Sequence, residues 1–180
     1  MEFILLSDAQ KDTYRAQIFD MMLACDRDFV PPLSARFSTS DTKFSAETAV
    51  ENGIYKYFED MIKEHMLAAI EDGALLGFVT FKRDLTNAVM SADTLPNLYI
   101  CTLLLSPAAR GKGVTAKMYA HLFDTLYPGV NLFTRTWSTN AAHLKILESF
   151  GFSLIKRIEN DRGEGVDTVY FGKERVRGNF

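Results

Sequence analysis

The chain has 180 residues, of which 47% are hydrophobic and 24% charged, and this composition predicts one globular domain over residues 1–180. Its net charge of −3 argues against a nucleic-acid-binding protein, because such proteins usually carry an excess of basic residues. Two cysteines are too few for a disulfide framework or a metal site, and no apolar run approaches the ~18 residues that a membrane helix needs. We therefore expect a soluble cytoplasmic protein that uses no metal and binds neither membrane nor nucleic acid.

The N-terminal third of the chain predicts one short strand and two helices. Glu2–Leu6 has strand length, and Ser7 and Asp8 are both suitable N-caps for the helix that follows. A second helix, from about Ala46 to Glu64, shows a continuous apolar face. Asp26–Phe44, between the helices, contains two prolines and a Ser/Thr cluster. A connection of this length is often functional.

The centre of the chain predicts a hairpin and then a buried strand. Met66–Glu71 and Ala74–Arg83 flank Asp72-Gly73, a strong signal for a two-residue turn. After an irregular loop at Asp84–Pro96, the Leu-rich run Leu98–Leu105 has the length and apolarity of a buried strand.

A glycine-rich basic turn, Ser106–Gly113, connects that strand to an amphipathic helix. The helix is indicated by apolar residues at every fourth position, namely Val114, Met118, Leu122 and Leu126. The first turn of a helix has backbone N–H groups without an internal partner, and glycines let a ligand approach the backbone. Arg110 and Lys112 add positive charge. The turn therefore favours a phosphate ligand over a simple solvent-exposed connection.

Three phosphate-binding patterns compete at this turn. The P-loop pattern GxxxxGK[ST] fails because Ser106 stands where its first glycine should be. The dinucleotide pattern GxGxxG/A matches Gly111, Gly113 and Ala116, but five residues separate the strand from the first glycine. The next strand also lacks an acidic residue that would hold a ribose. A nucleotide-binding oxidoreductase is therefore retained only as an alternative.

The third pattern, (Q/R)xxGx(G/A) after a strand and a proline, matches Arg110 to Thr115 behind Leu105-Ser106-Pro107. At these residues the sequence resembles the GNAT superfamily of acyl-CoA-dependent N-acetyltransferases. Thr115 departs from the pattern, since glycine or alanine is usual there, although a hydroxyl can donate to a phosphate. The resemblance implies acetyl-CoA as the co-substrate.

The C-terminal part of the chain extends this resemblance. Three more strands are predicted, at about Val130–Trp137, Phe152–Ile158 and Val166–Lys173. Between the first two, Ser138, Thr139 or Asn140 caps a short helix that ends at Phe150. In the family, an Asn that opens this helix is followed by a Gly-Phe pair, and here Asn140 precedes Gly151-Phe152.

The predicted order of elements, β α α β β β α β α β β, is also the order of the GNAT fold. The resemblance therefore covers nearly the whole chain. It implies an α/β (α+β) domain whose mixed, largely antiparallel sheet has about seven strands flanked by about four helices. Two β-α-β crossovers are expected to supply parallel pairing.

The resemblance also implies which residues hold acetyl-CoA. Pantetheine would pair with the backbone of three strand residues, Leu103, Leu104 and Leu105. The pyrophosphate would be held by the turn and the first helical residues, Arg110, Gly111, Lys112, Gly113, Val114 and Thr115. Asn140 would reach the cofactor from the other side. The acceptor would enter from the opposite end and attack the thioester directly in a ternary complex.

Two groups that are common in the family are not evident here. The first is a tyrosine that acts as general acid, and Leu147 stands at its position in this chain. His143, one turn earlier on the same helix, could take its place, although a solvent-exposed helical histidine is the simpler interpretation. A carboxylate base on the central strand has no counterpart in Leu98–Leu105. Cys101 in that strand is explained more readily by core burial than by nucleophilic catalysis. The general acid and base are therefore left open, with His143 and Cys101 as catalytic candidates.

The leading hypothesis is an acetyltransferase that moves an acetyl group from acetyl-CoA to a primary amine of a small molecule or a peptide. Without a strand carboxylate, a less basic acceptor is favoured, because deprotonation at neutral pH costs about 1 kcal/mol for an α-amine and about 4 kcal/mol for a lysine-like amine. The alternative is a catalytically degenerate domain that binds acyl-CoA as a sensor or partner module. The sequence identifies neither the acceptor nor the surface of a homodimer.

Overall fold

The computed structural model describes residues 1–36, 38–39 and 53–174. Its strands are β1 (Glu2–Leu5), β2 (His65–Glu71), β3 (Ala74–Arg83), β4 (Asn97–Leu105), β5 (Asn131–Trp137), β6 (Ser153–Ile158) and β7 (Thr168–Lys173). Its helices are α1 (Asp8–Cys25), α2 (Gly53–Met61), α3 (Val114–Ala120) and α4 (Ala141–Ser149). The predicted start of the second helix at Ala46 and the predicted loop end at Phe44 lie outside the described residues. None of the described helices combines the length and apolarity that crossing a membrane requires.

The seven strands form one sheet in the order β1-β2-β3-β4-β5-β7-β6. β4 and β5 run parallel, whereas β1–β2, β2–β3, β5–β7 and β6–β7 are antiparallel pairs. The predicted mixed, largely antiparallel sheet, flanked by four helices among the described residues, is confirmed. The expectation that both crossovers supply parallel pairing was wrong, because β7 lies between β5 and β6. Most side chains of β7 are buried and most of β6 are exposed, so β6 takes the edge position.

Local sequence signals account for the first helix and the hairpin. The Ser7 hydroxyl accepts a hydrogen bond from the Gln10 backbone N–H at 3.4 Å, and Gln10 Oε1 accepts one from the Ser7 N–H at 2.9 Å. This reciprocal capping box fixes the start of α1. Asp72 and Gly73 have φ angles of 50° and 76°, as a type I′ hairpin turn requires.

The chain forms two compact units. The first comprises Met1–Phe81 with Cys101–His121, and the second comprises Lys82–Ile100 with the chain from Leu122 onward. β4 contributes residues to both units, and the single domain over residues 1–180 stays a prediction.

The core of the first unit lies between α1, α2 and the strands. Its buried members include Ile18, Met22, Tyr57, Phe58, Met66, Ala68, Phe78 and Leu104. Ala68 and Phe78 are direct cross-strand partners of β2 and β3, so this core covers one face of those strands.

The helix that follows the glycine turn does not stay regular to Leu126. α3 passes into a π-helical turn at His121–Leu126, which the Tyr127 N–H closes by donating to the Leu122 carbonyl at 3.0 Å. The wider turn accompanies the burial of two consecutive side chains, Leu122 and Phe123. In the second unit, the Phe123 ring packs 5.8 Å from Phe150 and 5.9 Å from Phe152, measured between centroids.

Gly77 on β3 permits a close backbone approach to β4 in the first unit. A Cβ at this position would lie 2.3 Å from Leu105 Cδ2 and 2.6 Å from the Leu104 carbonyl oxygen. We predict that Gly77→Ala lowers the free energy of unfolding by about 1–3 kcal/mol, since a backbone carbonyl must shift. Urea denaturation measures this loss.

Gly172→Ala is the matched control for Gly77→Ala. Its Cβ would meet only side-chain atoms, the nearest being a Phe133 ring carbon at 3.0 Å. A ring can move aside more easily than a backbone carbonyl, so the control should lose less stability. Equal losses in the two variants would contradict a specific close approach at Gly77.

Candidate functional site

The glycine turn after β4 is held by backbone hydrogen bonds. The Ser106 N–H donates to the Leu76 carbonyl at 2.9 Å, and a single 3-10 turn, Pro107–Ala109, follows. Gly111 and Gly113 then adopt φ angles of 73° and 72°. Residues with a Cβ rarely adopt this left-handed region, so the path of the turn accounts for both glycines.

Gly113 is the N-cap of α3 and provides no side-chain cap. A helix that begins in this way leaves backbone N–H groups of its first turn available to a ligand. Val114 and Thr115 are both buried, so the extra atoms of Thr115, relative to glycine or alanine, are accommodated within the protein. The departure of Thr115 from the usual pattern therefore does not place a side chain on the exposed surface of the turn.

Arg110 contacts the end of α1 and the residues after it. Its Nη2 donates to Asp28 Oδ2 at 2.6 Å, to Cys25 Sγ at 3.3 Å and to the Leu105 carbonyl at 3.4 Å. The hydrogen bond that Arg110 donates to Asp28 raises the pKa of Arg110. Burial raises the pKa of the Cys25 thiol, although Arg110 opposes this effect. Asp28 is therefore the acidic partner of Arg110 in the folded protein.

The partner of Arg110 is a site feature that sequence reasoning missed. Asp28 lies 82 residues away along the chain. In the sequence, the length of the Asp26–Phe44 connection was the only indication of this contact. It predicted a functional loop but not which of its residues would contact the turn. The ion pair is half exposed at both ends, with 46% and 48% of the two side chains accessible. Such a pair contributes little stability and exchanges readily with another anion.

Leu103, Leu104 and Leu105 form the end of β4 in the first unit. Among the described residues, the pairing of β4 with β5 covers Asn97–Ile100, so the three leucines lie beyond the paired segment. The Leu105 carbonyl accepts a hydrogen bond from the Cys25 thiol at 3.5 Å in addition to that from Arg110. The first unit thus brings together the strand end, the turn and the start of α3.

Asn140 belongs to the second unit, where it is the N-cap of α4. Its Oδ1 accepts from the His143 N–H at 3.3 Å, and its Nδ2 donates to Thr136 Oγ1 at 3.1 Å. Of the three predicted cap residues, the structure selects this one. Its contact with a cofactor stays a prediction.

Three side chains that bear on the catalytic predictions, Leu147, His143 and Cys101, differ in burial. Leu147 is fully buried and apolar on α4. The interpretation of His143 as a solvent-exposed residue was wrong, because it is partly buried, and burial lowers its pKa to about 4. Its imidazole is therefore neutral at pH 7. Cys101 is partly buried on β4, and the neighbouring Thr102 Oγ1 lies 2.6 Å from the Tyr57 hydroxyl of α2.

Comparisons with known proteins agree on one family and one fold. The sequence model of the Acetyltransferase (GNAT) family matches residues 33–152. Among solved structures, the ribosomal-protein-alanine N-acetyltransferase from Brucella melitensis is 14% identical, with a TM-score of 0.65 over 97% of this chain and 99% of its own. No curated protein sequence matches the chain significantly.

Two further solved structures were determined with a cofactor. The putative acetyltransferase yncA from Salmonella typhimurium with its cofactor acetyl-CoA is 16% identical, with a TM-score of 0.64 over 100% of this chain and 96% of its own. An aminoglycoside 6′-N-acetyltransferase complexed with coenzyme A is 11% identical, with a TM-score of 0.66 over 100% of both chains.

At these low identities the solved structures show that the fold is shared, whereas the match to the family's sequence model shows family membership. The matched segment, residues 33–152, is more than half of the chain. It includes β4, the glycine turn, Asn140 and Gly151-Phe152, on which the resemblance was based. The chain belongs to the GNAT acetyltransferase family.

Proposed function

We propose that this chain transfers the acetyl group of acetyl-CoA to a primary amine of a small molecule or a peptide. The glycine turn after β4 carries the proposal, because its two left-handed glycines open a helix that has no side-chain cap. Family membership supports acetyl transfer in general. The similar structures named for a protein alanine and for an aminoglycoside 6′-nitrogen support an amine as the acceptor.

The residues of the turn fit the pyrophosphate of acetyl-CoA. An added Cβ at Gly111 or Gly113 would meet no described atom within 4 Å, so a ligand can approach the backbone N–H groups there. Arg110 and Lys112 supply two positive charges at the same turn. In the proposed complex, a phosphate oxygen replaces Asp28 as the partner of Arg110. The backbone of Leu103–Leu105 holds the pantetheine arm.

Acetyl-CoA supplies the activated acetyl group as a thioester. Direct attack by the amine does not require an acid on α4, because a thiol with a pKa of about 8.5 is an adequate leaving group near neutral pH. The aliphatic side chain of Leu147 has no acidic proton, and the imidazole of His143 is neutral at pH 7, so neither residue is a strong general acid. Without such an acid we expect a slower reaction, since general acid catalysis typically contributes about 10²–10⁴-fold.

One observation favours a second candidate function. Leu147 is a fully buried apolar residue at the position where the family often carries its acid. A domain that binds acyl-CoA without turning it over, as a sensor or partner module, needs no group there. Binding and turnover must therefore be measured separately.

Replacing Arg110 tests the phosphate site. We expect Arg110→Met to weaken coenzyme A binding by about 10–100-fold, because a charge-assisted hydrogen bond contributes about 1.5–3 kcal/mol. Binding of pantetheine, which lacks the pyrophosphate, should not change. Isothermal titration calorimetry measures both affinities.

The control for Arg110→Met is Asp28→Asn, which removes the ion pair but keeps the guanidinium. Coenzyme A should bind this variant at least as tightly as the wild type. If Arg110→Met weakened pantetheine and coenzyme A equally, or if Asp28→Asn weakened coenzyme A as much as Arg110→Met, the assignment of Arg110 to phosphate would be wrong.

The wild-type protein is expected to release coenzyme A thiol from acetyl-CoA when a primary amine is added. Alaninamide, with an α-amine, and butylamine, with an alkylamine, are suitable first acceptors, and mass spectrometry identifies the acetylated products. Coenzyme A binding without release of thiol for any amine would support the sensor function. Binding of NAD in place of coenzyme A would overturn both functions.

The buried His143 makes stability depend on pH. Its pKa is about 4 in the folded protein and about 6.5 in the unfolded chain. Between these values the unfolded chain binds more protons, so the free energy of unfolding falls as the pH falls from about 6.5 towards 4. In urea denaturation, lowering the pH from 7.5 to 5 should cost the wild type about 1–2 kcal/mol more than His143→Gln. Identical pH dependence in the two proteins would show that His143 is not held neutral.

A further inference from the structure

A single 3-10 turn, Asp26–Asp28, leads from α1 into the connection between α1 and α2, and it carries two carboxylates. We call it the acidic turn. It begins after Cys25, which is 1% exposed in the core of the first unit, whereas Asp28 is half exposed. Phe29 and Leu33, farther along the chain, pack against the same core. The acidic turn is thus a surface segment between anchored residues, and contacts of its side chains help to set its position.

The two carboxylates of the acidic turn have different partners. Asp26 accepts hydrogen bonds from the N–H and the hydroxyl of Ser34, at 2.8 Å and 3.0 Å. Asp28 accepts one from Arg110 Nη2 at 2.6 Å. Asp26 therefore closes the connection on itself, whereas Asp28 joins it to the residue that precedes Gly111 in the glycine turn.

Ser34 extends this path to the start of α2. An added Cβ at Gly53, the first residue of α2, would lie 1.9 Å from the Ser34 carbonyl oxygen, so the two backbones are in close contact. The path from the glycine turn to α2 runs through the ion pair of Arg110 with Asp28, the acidic turn and Ser34. Each noncovalent step is a direct contact within the first unit.

Arg110 Nη2 has no spare hydrogen for a phosphate while it holds its present partners. It already donates to Asp28 Oδ2, to Cys25 Sγ and to the Leu105 carbonyl, although an Nη group carries only two hydrogens. A phosphate at this nitrogen would also repel the carboxylate of Asp28, because both are negative. Of the three acceptors, Asp28 is the one whose side chain can turn to water, since it is half exposed.

Building on the proposed binding of pyrophosphate at the glycine turn, we propose that the acidic turn is a switch that couples cofactor occupancy to the connection between α1 and α2. Without coenzyme A, Arg110 holds Asp28 and fastens the acidic turn. When a phosphate oxygen takes Nη2, Asp28 turns to solvent and the acidic turn loses this contact. The exchange is inexpensive, because water solvates a half-exposed carboxylate almost as well as its partner does.

The coupling acts in both directions. If coenzyme A releases the acidic turn by a given factor, the intact ion pair lowers the affinity for coenzyme A by the same factor. Exposed ion pairs contribute little, so we expect this factor to be about 2–5. The same factor should therefore appear in two independent measurements, the exchange of backbone amides and the affinity.

Hydrogen–deuterium exchange of the full-length protein tests the switch. In the wild type, saturating coenzyme A should speed exchange in the peptide that spans residues 26–34 by about 2–5-fold. Pantetheine, which carries no pyrophosphate, should leave exchange there unchanged. In Asp28→Ala, exchange should be fast without ligand and should not respond to coenzyme A. This variant should also bind coenzyme A about 2–5-fold more tightly than the wild type, and pantetheine equally well.

Glu59→Gln is the matched control for Asp28→Ala. It removes another half-exposed ion pair of the first unit, between Glu59 and Arg15, which includes no residue of the glycine turn. This control should keep the wild-type exchange rate at residues 26–34, the wild-type response to coenzyme A and the wild-type affinity.

Unchanged or slower exchange at residues 26–34 in the wild type with coenzyme A bound would overturn the switch. A response to coenzyme A in Asp28→Ala equal to that of the wild type would overturn it as well. If either result appears while the wild type acetylates amines, the proposed function stands and the switch alone is wrong. If the wild type binds no coenzyme A, the pyrophosphate site and the switch are both wrong.

Discussion

The burial of one apolar core under α1 and α2 fixes the positions of polar groups in the first unit. Each fully buried side chain of this core contributes about 1.5–3 kcal/mol relative to an exposed one. Tyr57 and Leu104 are members of the core, and Cys25 at the end of α1 is another. The same packing therefore places the hydroxyl of Tyr57 beside Thr102 and brings the end of α1 to the Leu105 carbonyl. Apolar burial positions these polar groups without itself taking part in chemistry.

Local patterns in the sequence were sufficient to predict most of the fold. The Asp72-Gly73 turn, the capping residue Ser7 and the glycine turn depend on a few consecutive residues, whose conformational preferences act in any context. The order of strands along the chain follows from the same kind of signal. The insertion of β7 between β5 and β6 does not, because it depends on which strand of the last hairpin is better buried.

The contacts that sequence reasoning missed all join distant parts of the chain. Asp28 and Arg110 are 82 residues apart, Tyr57 and Thr102 are 45 apart, and Thr39 and Glu64 are 25 apart. No periodicity relates such pairs, since each depends on the tertiary packing of separate elements. The burial of His143 is of the same kind, because the helical pattern alone placed it at the surface.

The position of β6 at the edge of the sheet has a consequence for how the protein behaves in concentrated solution. Leu154 and Ile155 on this strand are 51% and 46% exposed. An edge strand with apolar side chains can pair with another chain, but a register shift after Leu154 and the charge of Lys156 oppose such pairing. Salt screens charges over about 8 Å at physiological ionic strength and over shorter distances as salt is added. Colloidal stability at this edge therefore rests partly on charge repulsion, and it decreases as the ionic strength of the buffer rises.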